Sequence, residues 1–166
     1  SDAQLYAIGE KVGADVPFCI AGGTKLCLNK GEVMAALPDL ADCSIVIAKP
    51  DQGVSTKEAY QNYDSAEWIR HPDNEGFLFA ATRGDFTKMC AKAANVFEQV
   101  VEVSDRVKIK AIMRNSNAKL AMMTGSGAAI FGLFENEEDS EKCAAELKIK
   151  YKNIYITKPV KQGVIL

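Results

Sequence analysis

Histidine and tryptophan occur only once each in this sequence, and its five cysteines form no Cys-x-x-Cys pair. Structural zinc sites use four Cys or His ligands at short, recurring spacings. His71 is the one imidazole available. The cysteines are widely spaced, at Cys19, Cys27, Cys43, Cys90 and Cys143. We therefore assign no residue to a metal and interpret the cysteines as small apolar side chains in a reducing cytoplasm.

Long apolar runs and an excess of one charge are also missing. The net charge is −2, so no basic surface indicates nucleic acid or an anionic membrane as a partner. No apolar run approaches the ~20 residues of a membrane-spanning helix. The opening stretch "SDAQLYAIGEKVG" lacks the basic and apolar regions of a secretory signal. These absences leave a globular cytoplasmic protein as the expectation.

The first 40 residues predict one helix followed by two short strands. Ser1 and Gln4 have the spacing of a capping box, and apolar residues recur at helical spacing up to Val12. The stretch that follows is rich in β-branched and aromatic residues between glycines. It predicts strands at Val16–Ile20 and Thr24–Leu28.

The remainder predicts an α+β domain with four strands. The predicted strands are 44–49, 119–123, 128–134 and 153–158. Helices are predicted from Ser55 or Thr56 onward, across 85–103, more weakly across 104–117, and after Glu137. This order matches a split βαβ, ferredoxin-like domain with extra helices in its first crossover. We expect the four strands to form a single antiparallel sheet.

Asp15 is the first candidate site residue, because it stands between a helix end and an apolar run, in "GADVPFCIAGG". Burying an unpaired carboxylate costs several kcal/mol, about 2 or more even for milder polar groups. Asp15 is therefore either a turn residue bonded to its own backbone or a group positioned for chemistry.

The stretch "MTGSGAAIFGLF" is the second candidate. It lacks the third glycine of a dinucleotide fingerprint, since Ile130 stands there, and the chain contains no Gly-Lys pair of a P-loop. A tight hairpin turn is the structural interpretation, with glycines supplying positive φ. The functional alternative is a turn whose open backbone N–H groups face an anion or another loop.

Thr56 and Tyr60 form a third candidate, because the i, i+4 spacing places a hydroxyl and a phenol on one helical face. The structural alternative is an N-cap followed by a half-buried tyrosine.

Four segments, "GADVPFCIAGGTKLCLNKGE", "KPDQGVSTKEAY", "NVFEQV" and "MTGSGAAIFGLFE", together resemble the GHMP family of small-molecule kinases. Within that family they resemble the members that use ATP and Mg²⁺ to phosphorylate the 2-hydroxyl of cytidine-diphospho-methylerythritol in non-mevalonate isoprenoid synthesis. The resemblance covers essentially the whole chain. The alternatives are a GHMP kinase for another small alcohol, such as homoserine or mevalonate, and a non-catalytic ferredoxin-like binding module.

The resemblance implies roles for the candidate residues. Asp15 matches the catalytic aspartate that orients and deprotonates the accepting hydroxyl. Thr56 and Tyr60 match substrate-side residues, with Tyr60 in the place of an aromatic that stacks on cytosine. The glycine-rich stretch matches a motif that packs against the family's phosphate-binding loop. Its residues are Thr124, Gly125, Ser126, Gly127 and Ala128.

Two family motifs, Pro-Gly-Lys-x-Asn and Gly-Leu-Gly-Gly-Gly-Ser-Ser, do not occur in this sequence. We therefore expect residues 1–40 to be the end of an N-terminal, ribosomal protein S5 domain 2-like ATP-binding domain, and 41–166 to be the C-terminal domain. Most ATP and Mg²⁺ contacts would then lie outside this chain, and we expect no turnover from it alone. Exposed strand edges in the first 37 residues suggest a homodimer.

Overall fold

The computed structural model describes residues 1–164 of the chain. Its first elements are α1 (Asp2–Val12), α2 (Val16–Ala21), β1 (Lys25–Leu28) and β2 (Val33–Ala36). The predicted cap of α1 is confirmed, since the Gln4 side chain accepts a hydrogen bond from the Ser1 ammonium at 2.8 Å. Helices α1 and α2 touch at Gly9, where an added Cβ would lie 3.0 Å from Val16 Cγ1.

The predicted strand at Val16–Ile20 is wrong, because this segment is the helix α2. The Asp15 carbonyl accepts a hydrogen bond from the Cys19 N–H at 3.0 Å, and Pro17 presets a helical φ in the first turn. Packing against α1 outweighs the weak β preference of the sequence. The strand β1 lies within the predicted 24–28 segment, and it pairs with β2.

The elements that follow run as β3 (Ser44–Lys49), α3 (Thr56–Ser65), α4 (Asn74–Thr82), α5 (Phe86–Lys92), a 3-10 helix (Val96–Gln99), α6 (Arg106–Asn115), β4 (Leu120–Met123), β5 (Ile130–Phe134), α7 (Glu137–Lys148) and β6 (Asn153–Thr157). The four strands form one antiparallel sheet in the order β4-β5-β3-β6. The single ferredoxin-like sheet predicted from the element order is confirmed.

The main core lies between one face of this sheet and the helices α6 and α7. Side chains alternate along a strand, so Val46 and Ala48 of β3 both enter this core and are fully buried. The larger core side chains are Ile109, Met113, Ile130, Phe134 and Leu147. A buried hydrogen bond of 2.7 Å joins the Ser44 and Ser140 hydroxyls, so neither is left unpaired in the apolar interior.

The opposite face of the sheet packs against α5, one of the extra helices of the first crossover. Phe86 and Met89 of α5 pack against Cys43, Cys90 and Leu133. An extra helix predicted in this crossover therefore packs on the second face of the sheet.

The helix predicted across 85–103 is interrupted, and that prediction is wrong in its middle. Helix α5 ends at Lys92, Ala93 is extended, and Asn95 caps the separate 3-10 helix by accepting a hydrogen bond from the Phe97 N–H at 2.9 Å. Apolar residues do recur at helical spacing in this segment. The Asn95 side chain, however, also hydrogen-bonds to the main chain of Met123 and Gly125. A continuous helix would not place it there.

All five cysteines are free; Cys43, Cys90 and Cys143 are buried, whereas Cys19 and Cys27 are exposed. The expectation of apolar cysteine packing therefore describes the three buried ones. Among the described helices, none is long and apolar enough to cross a membrane.

Replacing Phe134 by alanine tests the assignment of the core. Phe134 is 0% exposed, so Phe134→Ala leaves a cavity and is expected to lower the free energy of unfolding by about 3–5 kcal/mol, measured by urea denaturation. The matched control is Phe79→Ala, at a phenylalanine 62% exposed, where about 1 kcal/mol or less is expected. Equal losses at the two positions would contradict this assignment.

Candidate functional site

The first turn of α3 brings two of the predicted motifs into contact. Ser55 is the N-cap, and its hydroxyl accepts a hydrogen bond from the Glu58 N–H at 3.3 Å. Because Ser55 caps the helix, the capping role considered for Thr56 is excluded. The Thr56 Oγ1 instead lies 3.0 Å from the Ser126 Oγ, and either hydroxyl can donate. The helix α3 and the glycine-rich stretch therefore meet directly.

The glycine-rich stretch is the turn of the β4–β5 hairpin, as the structural interpretation predicts. Gly125 and Gly127 have φ of +54° and +99°, a region that side chains with Cβ atoms rarely adopt. The Thr124 N–H donates to the Ala129 carbonyl at 2.9 Å and closes the turn. Ala128 is buried, whereas Ser126 is only half-buried and keeps its hydroxyl at the surface, where Thr56 meets it.

Asn95 and Glu98 hold this turn from the 3-10 helix. The Asn95 amide donates to the carbonyls of Met123 and Gly125, both at 2.8 Å. The Glu98 carboxylate accepts from the Met123 N–H at 2.7 Å and pairs with Lys110 of α6 at 2.5 Å. These contacts fix the point where β4 ends and the turn begins.

Tyr60 lies one helical turn beyond Thr56, on the same face of α3. Its ring meets Phe97 edge to face, with 5.0 Å between centroids and 81° between planes. The residue is nevertheless 55% exposed. Phe97 therefore orients Tyr60 and leaves part of its surface open, as stacking on a flat ligand requires.

Asp15 stands apart from these contacts. It precedes α2 as the N-cap residue, so it lies between two helices and not between a helix and a strand. Its side chain is exposed and makes no capping hydrogen bond. The described residues 1–164 therefore do not desolvate this carboxylate, and the local bond expected of a turn aspartate is not made.

The structure brings together Thr56, Tyr60 and Ser126, while Asp15 takes no part in the hydrogen bonds that join their segments within residues 1–164. Sequence reasoning missed Asn95 and Glu98 as holders of the turn. Asn95 carried a usable signal, because asparagine in a helix interior competes for backbone hydrogen bonds and favours a cap.

Metal ligation is not supported by the described part of the chain. Within residues 1–164, no three His, Cys, Asp or Glu side chains converge as they would around a metal ion. A site that would hold Mg²⁺ through protein ligands alone is therefore not seen among these residues.

Comparison with known proteins identifies a family and individual proteins that this chain resembles. Residues 81–153 match the family described as GHMP kinases C terminal. The 4-diphosphocytidyl-2-C-methyl-D-erythritol kinase of Clostridium acetobutylicum is 40% identical over 164 aligned residues, covering 96% of this chain and 58% of that kinase. The kinase of the same name from Clostridium novyi is 38% identical over 162 residues, with the same coverages. The chain thus spans less than two thirds of the length of these relatives.

Two solved structures share the fold. A 4-(cytidine 5'-diphospho)-2C-methyl-D-erythritol kinase superimposes with a TM-score of 0.73 at 24% identity, over 93% of this chain and 56% of that one. The homoserine kinase of Cytophaga hutchinsonii gives a TM-score of 0.73 at 20% identity, over 89% and 52%. At these identities the likeness shows the architecture alone.

Removing the amide donor of Asn95 tests whether it holds the glycine-rich turn. Asn95→Asp keeps the shape but places a carboxylate against two carbonyl oxygens, so we expect about 1–3 kcal/mol of lost stability and faster amide exchange at 124–127. The matched control is Asn62→Asp, at an exposed amide with one bond of 3.2 Å, where the change is expected to stay under about 1 kcal/mol. Unchanged exchange at the turn in Asn95→Asp would contradict the assignment.

Proposed function

We propose that this chain is the substrate-side portion of an ATP-dependent kinase of the GHMP family, whose C-terminal family model matches residues 81–153. The proposed reaction transfers a phosphoryl group to the 2-hydroxyl of 4-(cytidine 5'-diphospho)-2-C-methyl-D-erythritol. The choice of substrate rests on relatives of that name at 38–40% identity over 96% of the chain. The fold by itself does not identify the substrate, since a homoserine kinase superimposes on it with the same TM-score as the cytidine-diphospho-methylerythritol kinase.

The contact between Thr56 and Ser126 carries the proposal. It places the substrate-side helix against the turn that, in the proposed enzyme, packs against the phosphate-binding loop. Substrate bound along α3 would then lie beside the place where the phosphoryl donor is held. Phosphoryl transfer depends mainly on such positioning.

Each site residue has one proposed task. Tyr60 stacks on the cytosine ring, Thr56 and Ser126 set the distance between substrate and turn, and Asp15 accepts the proton of the reacting hydroxyl. Asp15 is suited to this task in one respect, because its carboxylate is exposed and makes no hydrogen bond to cap α2. A further protein surface must then close over it, since a solvated carboxylate is a weak base.

We propose the division of the chain into 1–40 and 41–166 on the separation of its two sheets, β1-β2 and β4-β5-β3-β6. The first part exposes apolar side chains of α1, namely Leu5, Ile8 and Val12. Such side chains favour packing against further protein. In the proposed kinase the packing partner is the remainder of the ATP-binding domain. A second copy of the chain is the alternative partner.

Replacing Tyr60 by alanine tests substrate binding on the chain as it stands. Stacking of a base on an aromatic ring is worth about 1–3 kcal/mol, so Tyr60→Ala should weaken cytidine diphosphate binding about 5- to 150-fold in calorimetry. The matched control is Tyr155→Ala, at a tyrosine 57% exposed on β6, which should bind as the wild type does. Equal affinities of the Tyr60 and Tyr155 variants would count against the cytosine site.

Replacing Asp15 by asparagine tests the chemistry in a complete enzyme. The N-terminal segment of the Clostridium acetobutylicum relative, up to the start of its match, is joined to this chain, and ADP release is measured. Asp15→Asn keeps the shape and removes the base, so kcat should fall about 10²- to 10⁴-fold with little change in KM.

The control for this chimera is Asp64→Asn, at an exposed aspartate on α3, which should stay within a few-fold of the parent. An Asp15→Asn enzyme with near-parental kcat would return Asp15 to the role of a turn residue. An inactive parent chimera with intact cytidine diphosphate binding would place the fault in the joining of the two parts.

A further inference from the structure

A groove of about 800 Å³ runs beside β4, the edge strand of the four-stranded sheet. Its walls come from residues 120–122, from α6, and from the segments 70–73 and 90–95. Thr56, Tyr60 and Ser126 are not among the residues that line it. The volume lies within the ~300–1,000 Å³ of small-molecule sites, so the groove is large enough for a metabolite.

Side-chain contacts fix the outer wall of this groove. The Gln99 amide binds the main chain of Arg70 at both ends, accepting from its N–H at 3.0 Å and donating to its carbonyl at 2.9 Å. Lys92 pairs with Asp73 at 2.5 Å and ties the same segment to the end of α5. The segment 70–73 has no regular secondary structure, yet it is tied to two neighbouring elements.

Ion pairs neutralise most charges of the groove but leave two arginines. Lys92 pairs with Asp73, Lys110 with Glu98, and Lys119 with Glu135. Arg70 and Arg114 both line the groove, and neither makes an ion pair within residues 1–164. The groove therefore carries two uncompensated positive charges on a chain whose net charge is −2.

The thiol that lines the groove is not a nucleophile. Cys90 lies in its lining, but burial raises the pKa of this thiol to about 11, so it stays protonated at neutral pH. Reversible binding of an anion is the chemistry that the two unpaired arginines support. A guanidinium presents a planar fork of N–H donors that matches phosphate oxygens in pairs.

We propose that this groove binds a phosphorylated small molecule, whose phosphate is held by the guanidinium groups of Arg70 and Arg114. Two positive charges balance one phosphate group with two negative charges. The rest of the groove, with the apolar edge of β4 and the Pro72 ring, accommodates the organic part of such a ligand. Nucleic acid is not favoured, because two free cations would neutralise few of its phosphates.

Titration of the 166-residue chain with inorganic pyrophosphate, by calorimetry at constant ionic strength, tests the site. Saturable binding of one equivalent is expected. Arg70→Gln and Arg114→Gln should each weaken it about tenfold or more, the loss of a hydrogen bond to a charged group. The matched control is Arg83→Gln, at an arginine that lies over the Phe79 ring and does not line the groove. It should bind like the wild type.

Absence of saturable binding would overturn the proposal, as would equal losses in the Arg70, Arg114 and Arg83 variants, which would show only a general effect of charge. If a groove variant does not fold, the wild-type chain is titrated with pyrophosphate and its backbone amide chemical shifts are followed by NMR. Binding in the groove should then shift the signals of 70–73 and 92–95. Tyr60→Ala should leave pyrophosphate binding unchanged, so this test stands apart from the cytosine site. Tighter binding of glycerol phosphate than of pyrophosphate would assign the occupant to the phosphomonoesters.

Discussion

The strand β3 is the element on which the rest of the domain depends. It hydrogen-bonds to β5 on one side and to β6 on the other, and its residues Val46 and Ala48 are fully buried. A shift of its register by one residue would turn these side chains out of the core. The register is therefore strongly determined, and through β5 it fixes the hairpin whose turn carries Ser126. The position of the candidate site follows from the core of the sheet.

The single turn of 3-10 helix at Val96–Gln99 separates two surfaces with different chemistry. Phe97 contacts Tyr60 on the side of α3, while Glu98 and Gln99 line the groove beside β4. Asn95, at the start of this helix, bonds to the glycine-rich turn and also lines the groove. One short segment thus orders the aromatic face, the turn and the groove wall. An amphipathic helix that continued through these positions would bury its apolar side. It could not contact the aromatic face, the glycine-rich turn and the groove wall at once.

The fold alone does not identify the alcohol that the proposed kinase phosphorylates. The same architecture matches a homoserine kinase and a cytidine-diphospho-methylerythritol kinase with equal TM-scores. Specificity resides in side chains placed on such a frame, so the substrate proposal depends on the exposed Tyr60 of α3. The GHMP assignment rests on the family match and the relatives, and the substrate proposal depends in addition on the exposed Tyr60, so the substrate proposal can fail while the family assignment holds.

The sequence by itself determined the elements whose patterns are local. The four strands of the main sheet, the start of α3 at Ser55 or Thr56 and the helices α6 and α7 follow from periodicity, turn glycines and capping residues, all of them local in the chain. Tertiary structure decided the rest. Val16–Ala21 is a helix because it packs on α1, and the helix predicted across 85–103 breaks because Asn95 bonds to carbonyls 28 and 30 residues away. The Thr56–Ser126 contact spans 70 residues. No local sequence pattern predicts such long-range contacts, because they stabilise the fold only after the sheet has brought the two partners together.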